Sequence, residues 1–69
     1  MTIDKLEIEE IIGELVDFSL WTDEDWERAD TEITAECERR GINPAESMEM
    51  FDKYAAICDG VCSRIASAA

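Results

Sequence analysis

The chain has 69 residues, of which 18 are Asp or Glu, 6 are Lys or Arg and none is His, so its formal net charge is −12. A chain of this length supports one small hydrophobic core, which predicts a single helical domain over residues 1–69. With 46% hydrophobic residues it is too apolar for a disordered acidic tail. The charge argues against direct binding to nucleic acid or to an anionic membrane surface, because both require a basic face.

Composition also argues against catalysis and secretion. The commonest general base and metal ligand, histidine, is absent, so we expect no enzyme, no cofactor and no metal site. Residues 1–5 carry neither the basic nor the apolar region of a signal peptide, and no stretch approaches the roughly 20 apolar residues of a membrane span. We therefore expect a cytoplasmic protein, in which the three cysteines are reduced.

The first predicted helix covers residues 4–19. Asp4 followed by Glu7 resembles a capping box, and apolar residues recur behind it at helical spacing. Gly13 lies inside this helix, where it costs about 1 kcal/mol relative to alanine. Either that cost is tolerated or a neighbouring helix approaches closely at Gly13. The apolar stripe comprises Ile8, Ile11, Ile12 and Leu15.

The second predicted helix, residues 23–40, has a signal at each end. Thr22 is a good N-cap, and Trp21 before it can pack on Trp26 as a hydrophobic staple. At the other end Gly41 suits the left-handed position that follows a helix, with Ile42 folding back in a Schellman motif. Acidic residues occupy the first turn and basic residues the last, as the helix dipole favours: Asp23, Glu24, Asp25, Arg39 and Arg40. The apolar face comprises Trp26, Ala29, Ile33 and Cys37.

The third predicted helix covers residues 44–66. It begins with Asn43 as N-cap, Pro44 in the first position and Glu46 as the capping-box acid. Its apolar seam is spaced alternately by three and four and comprises Met48, Phe51, Ala55, Cys58, Cys62 and Ile65. The seam is widened by Tyr54, Ile57 and Val61, which makes this helix the predicted centre of the core. The three helices together predict an all-α fold, a compact three-helix bundle.

The net charge lies entirely on the first two helices. Residues 1–38 hold fourteen acids and two bases, whereas residues 39–69 hold four of each. On helix one, a line of carboxylates about 15 Å long is predicted from Glu7, Glu10, Glu14 and Asp17. On helix two, one flank of the apolar stripe carries Asp25, Glu32 and Glu36. These acids either keep a small protein soluble or form a docking surface for a basic groove that normally holds nucleic acid.

A very short, strongly acidic, capped helical chain with such carboxylates on its exposed faces resembles the small phage-encoded inhibitors of bacterial defence, of the anti-CRISPR or antirestriction type. The resemblance is one of type, covers the whole chain and involves no shared motif. It implies a non-catalytic DNA mimic in the host-cell cytoplasm that binds a Cas effector subunit or a restriction subunit. The residues expected to bind the partner are Glu7, Glu10, Glu14, Asp17, Trp21, Asp25, Trp26, Glu32 and Glu36.

Two other functions remain open. The seam of helix three could pair with a second copy or with another helix, which would make the chain a homodimer or a small adaptor rather than a monomer. The segment Asp17-Phe18-Ser19-Leu20 is similar to the Asp-Ser-Leu attachment motif of acyl carrier proteins, but Phe18 interrupts it. The tryptophans also have two interpretations: a local staple, or a partner anchor beside the acidic face.

The three cysteines are interpreted as buried apolar side chains. Cys58 and Cys62 lie four residues apart on one face of helix three, and Cys37 lies on helix two. A hairpin centred on Gly41 and Ile42 would leave Cys37 roughly 15 Å from Cys58, measured along the helix axes. That separation disfavours a zinc site, which also needs a fourth ligand.

Overall fold

A computed structural model describes residues 4–68 as three α-helices and one short 3₁₀-helix. Helix α1 spans Lys5–Ile12, α2 spans Asp23–Arg40 and α3 spans Met48–Ala68. The 3₁₀-helix, Phe18–Leu20, lies between α1 and α2. Within the described range there is no β-strand, and the prediction of an all-α three-helix bundle is confirmed.

Helix α3 is the centre of the bundle, because it packs against both α1 and α2. It supplies more buried side chains than either of the other helices, as its wide apolar face predicts. The core comprises Ile8, Ile12, Val16, Trp26, Ala29, Ile33, Cys37, Tyr54, Ile57, Cys58, Val61, Cys62 and Ile65.

Both ends of α2 are as predicted. Thr22 and Asp25 form a reciprocal capping box at its start. At its end Gly41 has a φ of 68°, in the left-handed region, and the Ile42 N–H donates to the Cys37 carbonyl at 2.9 Å. That hydrogen bond is the one that defines a Schellman motif.

Helix α1 ends at Ile12, so the prediction of a helix over residues 4–19 is wrong in its second half. The Leu15 and Val16 N–H groups both donate to the Ile12 carbonyl, at 2.9 and 3.1 Å, and close a turn. Gly13 enters that turn so close to the Glu9 carbonyl oxygen that a Cβ at Gly13 would overlap it. The glycine therefore serves neither expected role: it permits the chain to leave the helix. As a result Leu15 is 71% exposed and Val16 is buried in its place.

Helix α3 begins four residues later than predicted and ends two residues later. The Asn43 side chain accepts from the Ala45 N–H at 3.1 Å and stabilises a turn over residues 44–46. The helix N-cap is Ser47, whose hydroxyl accepts from the Met50 N–H at 3.2 Å. Met48 is thus the first helical residue and is 77% exposed, so it does not belong to the buried seam.

Candidate protein-binding surfaces

The predicted line of carboxylates along helix one does not form. Glu7 and Glu10 lie on α1, but Glu14 lies in the turn that follows it and Asp17 precedes the 3₁₀-helix. Spacing by three and four aligns side chains only while the backbone stays helical, and α1 ends at Ile12. The structure therefore separates these four residues into three local settings.

Asp17 has a structural role as the cap of the 3₁₀-helix. Its carboxylate accepts from the Ser19 hydroxyl at 2.6 Å and from the Ser19 N–H at 3.0 Å. These two hydrogen bonds, the hydroxyl one first, hold the pKa of Asp17 below its usual range. The Ser19 hydroxyl, which the acyl-carrier interpretation needs as an attachment point, is thus already hydrogen-bonded to Asp17.

Asp25 also has a structural role, at the start of α2. Its carboxylate accepts from the Thr22 N–H at 3.0 Å, and its own N–H donates to the Thr22 hydroxyl at 3.3 Å. Asp25 is half-buried in this position. The Asp25 carboxylate therefore accepts a hydrogen bond at the N-terminus of α2, and this role explains its position without a binding partner.

Trp26 belongs to the core rather than to the surface. Its ring lies 4.9 Å from that of Trp21 and 5.0 Å from that of Phe18, and Lys5 Nζ lies 5.5 Å from its centroid. Trp26 is 9% exposed, whereas Trp21 is half-buried. The staple interpretation is confirmed, and this aromatic cluster joins the 3₁₀-helix to α2.

Glu32 and Glu36 are surrounded by arginines. Glu36 pairs with Arg39 and, at 3.1 Å, with Arg40. Glu32 lies 3.8 Å from Arg28 and 3.7 Å from Arg64. Both glutamates were expected in the acidic docking surface, but the structure places each beside two guanidinium groups that offset its charge.

Among residues 4–68, the carboxylates that take part in no salt bridge are concentrated in residues 4–27. That stretch holds ten carboxylates and one lysine. Across the described part of the chain, every salt bridge uses Glu32, Glu36 or Glu49, and none uses an acid from this stretch. The like charges there repel one another, so a cationic partner would lower their free energy.

Exposed leucines accompany these acids, and the sequence pattern had placed one of them, Leu15, on the apolar stripe of helix one. Leu6 is 73% exposed, Leu15 is 71% exposed and Leu20 is 79% exposed. On α1, Leu6 shares its outward face with Glu9 and Glu10, at helical spacings of three and four. We define the acidic surface as five exposed residues of α1 and of the turn that follows it: Leu6, Glu9, Glu10, Glu14 and Leu15. Recognising Gly13 as the end of the helix would have indicated the exposure of Leu15.

All three cysteines are buried, as predicted. Burial raises the pKa of Cys58 to about 11 and that of Cys62 to about 12, and it also raises the pKa of Cys37. The neighbouring Cys37 thiol adds to the rise in the pKa of Cys58. Between residues 4 and 68, no group of three cysteine or acidic side chains is placed to hold a metal ion.

The fold defines an all-α protein whose acidic surface takes part in no salt bridge among the described residues, and comparison with known proteins adds nothing to that class. Neither a protein-family model, nor a curated protein, nor a solved structure matches this chain. None of the helices between residues 4 and 68 combines the length and the apolar character of a transmembrane span.

Proposed function

We propose that this protein is a non-catalytic inhibitor whose acidic surface occupies a basic, nucleic-acid-binding site on a bacterial defence protein, such as a Cas effector subunit. The observation that supports this most strongly is the distribution of the salt bridges. Cations of this chain pair with Glu32, Glu36 and Glu49, while the acids of residues 4–27 take part in no salt bridge within the described structure.

The physical basis is competition with a polyanion. A groove that holds nucleic acid is lined with lysine and arginine, and its field attracts a negatively charged surface before contact. Carboxylates such as Glu9, Glu10 and Glu14 then take the place of phosphates in charge. Leu6 and Leu15 add apolar contacts that a phosphate backbone lacks, and burying them favours the complex.

The test is charge reversal with a matched control. The first variant carries Glu9→Lys, Glu10→Lys and Glu14→Lys, all exposed and none of them a helix cap. Asp17 is left intact because it caps the 3₁₀-helix. The control carries Glu38→Lys, Glu46→Lys and Asp52→Lys, which are also exposed and change the net charge equally.

Each protein is added to purified Cas effector complexes and restriction enzymes, and the DNA binding of each target is measured by mobility shift. We expect the wild-type protein and the control to displace DNA from the susceptible target, less so at high salt, and the first variant to fail. Displacement by the first variant equal to that by the control would contradict the proposal. A panel in which no target loses DNA would contradict the assignment to bacterial defence.

A homodimer through the α3 seam has no support in the structure. Cys58, Cys62 and Ile65 are at most 5% exposed, because they pack against α1 and α2 in the same chain. A second copy could reach them only if the core opened.

A further inference from the structure

A groove with an apolar floor and basic walls crosses the interface between α2 and α3. It consists of two depressions, of about 380 and 360 Å³, which share Arg40 and Ala56 in their linings and therefore lie next to each other. Its floor is formed by Ile42, Met50, Ala56, Ile57, Gly60 and Val61. No part of the proposed inhibitor site contributes to it.

The walls of this groove concentrate the positive charge of the protein. Four of the six cations in the chain line it, and Glu36 is the one acid in its lining: the cations are Arg39, Arg40, Lys53 and Arg64. Arg39, Arg40 and Arg64 keep more than half of their side-chain surface exposed even though each is paired with a glutamate. Each guanidinium has five N–H donors, so donors remain for a further carboxylate.

We propose that this groove binds an acidic amphipathic helix of another protein. The lining of α3 runs from Met50 to Arg64, which corresponds to about 21 Å of helix, or roughly four turns of a bound helix lying along it. An apolar stripe on that helix would cover the floor, and glutamates flanking the stripe would reach the arginines. The bound helix would then contact both the apolar floor and the basic walls of the groove.

Charge and burial favour this occupant over two others. A second copy offers α1 as an acidic amphipathic helix, but the apolar face of α1 is already buried through Ile8 and Ile12. A nucleic acid carries a higher density of negative charge than a helix with a few glutamates, so the net charge of −12 repels it more strongly, and it would leave the apolar floor uncovered. A separate acidic amphipathic helix is repelled less and covers the floor.

Gly60 provides a way to close the groove without harming the fold. It lines the groove, and a Cβ built on it meets no atom within 4 Å. The Gly60→Leu side chain would therefore extend into the groove. Leucine also favours helix more than glycine does, so α3 should be at least as stable.

The experiment uses the full chain and a fluorescent 16-residue helical peptide with leucines on one face and glutamates on its flanks. Its binding is measured by anisotropy and compared with that of the same peptide carrying lysine for glutamate. The protein variants are Gly60→Leu, Arg64→Glu and Arg28→Glu. The two arginine variants are matched, because both arginines pair with Glu32 but only Arg64 lines the groove.

We expect the acidic peptide to bind the wild-type protein, the lysine peptide not to bind, and both Arg64→Glu and Gly60→Leu to weaken binding about tenfold or more. Arg28→Glu should stay within about twofold of wild type. Absence of binding, equal effects of the two arginine variants, or tighter binding of a single-stranded oligonucleotide would overturn the proposal. Self-association of the protein alone that Arg64→Glu abolishes would overturn it in favour of a second copy.

Discussion

Glu32 of α2 and Arg64 of α3 face each other across the helix interface, with a glutamate oxygen 3.7 Å from a guanidinium nitrogen. The other oxygen of Glu32 lies 3.8 Å from Arg28, one turn away on α2 itself. A single carboxylate thus joins a local pair to a pair that depends on the tertiary fold.

This interhelical pair should contribute little to stability. Arg64 is 68% exposed and Glu32 is half-buried, at 36%, so water and salt screen their attraction. A double-mutant cycle with Glu32→Ala and Arg64→Ala should give a coupling of about 0.2 to 1 kcal/mol in urea unfolding at low salt. The coupling should decrease at high salt, and a value that salt leaves unchanged would contradict this account.

Substituting alanine for Gly13 and for Gly60 should shift the stability of the fold in opposite directions. Gly13→Ala places a methyl group against the Glu9 carbonyl oxygen, and we expect it to destabilise the fold by roughly 1 to 3 kcal/mol. Gly60→Ala meets open space inside α3, and we expect it to stabilise the fold by about 0.5 to 1 kcal/mol. Thermal melts of the two variants measure the difference. If Gly13→Ala raised the melting temperature, a continuous helix through residue 13 would be the better description.

Ser47→Ala should destabilise the protein by about 0.5 to 2 kcal/mol. The substitution removes the hydroxyl that accepts from the Met50 N–H and leaves the first turn of α3 without its cap. Ser67→Ala is the matched control, since Ser67 is exposed near the other end of the same helix. Chemical unfolding should show no more than a few tenths of a kcal/mol for the control, and equal losses in the two variants would argue against Ser47 as the N-cap.

Alkaline pH should destabilise the fold through its buried thiols. Cys58 and Cys62 ionise near pH 9 when unfolded, but burial raises their pKa to about 11 and about 12 in the folded state. Between these values the folded state holds more protons than the unfolded state, so stability falls as pH rises. The loss should begin near pH 9, with a slope of at most about 1.4 kcal/mol per pH unit for each thiol.

Urea unfolding at a series of pH values measures this slope. The Cys62→Ala variant is the control: its stability is lower at every pH because the side chain is smaller, but its decline above pH 9 should be shallower. A decline equally steep in wild type and variant would show that Cys62 does not contribute to the alkaline effect.

The sequence predicts α2 to the residue because both of its ends are local. Thr22 and Asp25 satisfy each other, and Gly41 supplies the left-handed turn without help from the rest of the fold. The end of α1 depends instead on how closely Gly13 approaches Glu9, and on the burial of Val16, which is a tertiary effect. The spacing of apolar residues along the sequence does not predict either the close approach of Gly13 to Glu9 or the burial of Val16.

The start of α3 and the acidic site show two other limits of prediction. Asn43 and Ser47 are both good N-caps four residues apart, and propensity alone does not choose between them. The sequence predicts the acidic charge of residues 1–38 but not the pairing of Glu32 with Arg64, because that pair requires that α2 and α3 already be packed. The groove between α2 and α3 could not be predicted from the sequence either, because it too exists only when the two helices are packed.

The acidic first turn and the basic last turn of α2 lie at opposite ends of a helix about 27 Å long, since the helix has 18 residues. This arrangement gives α2 a separation of charge in addition to the net charge of the molecule, although the pairing of Arg39 and Arg40 with Glu36 reduces it. The field of the proposed basic partner would favour an approach in which the start of α2 is nearer to the partner than Arg39 and Arg40 are. The charges of this one helix would then orient the protein before any side chain touched the partner.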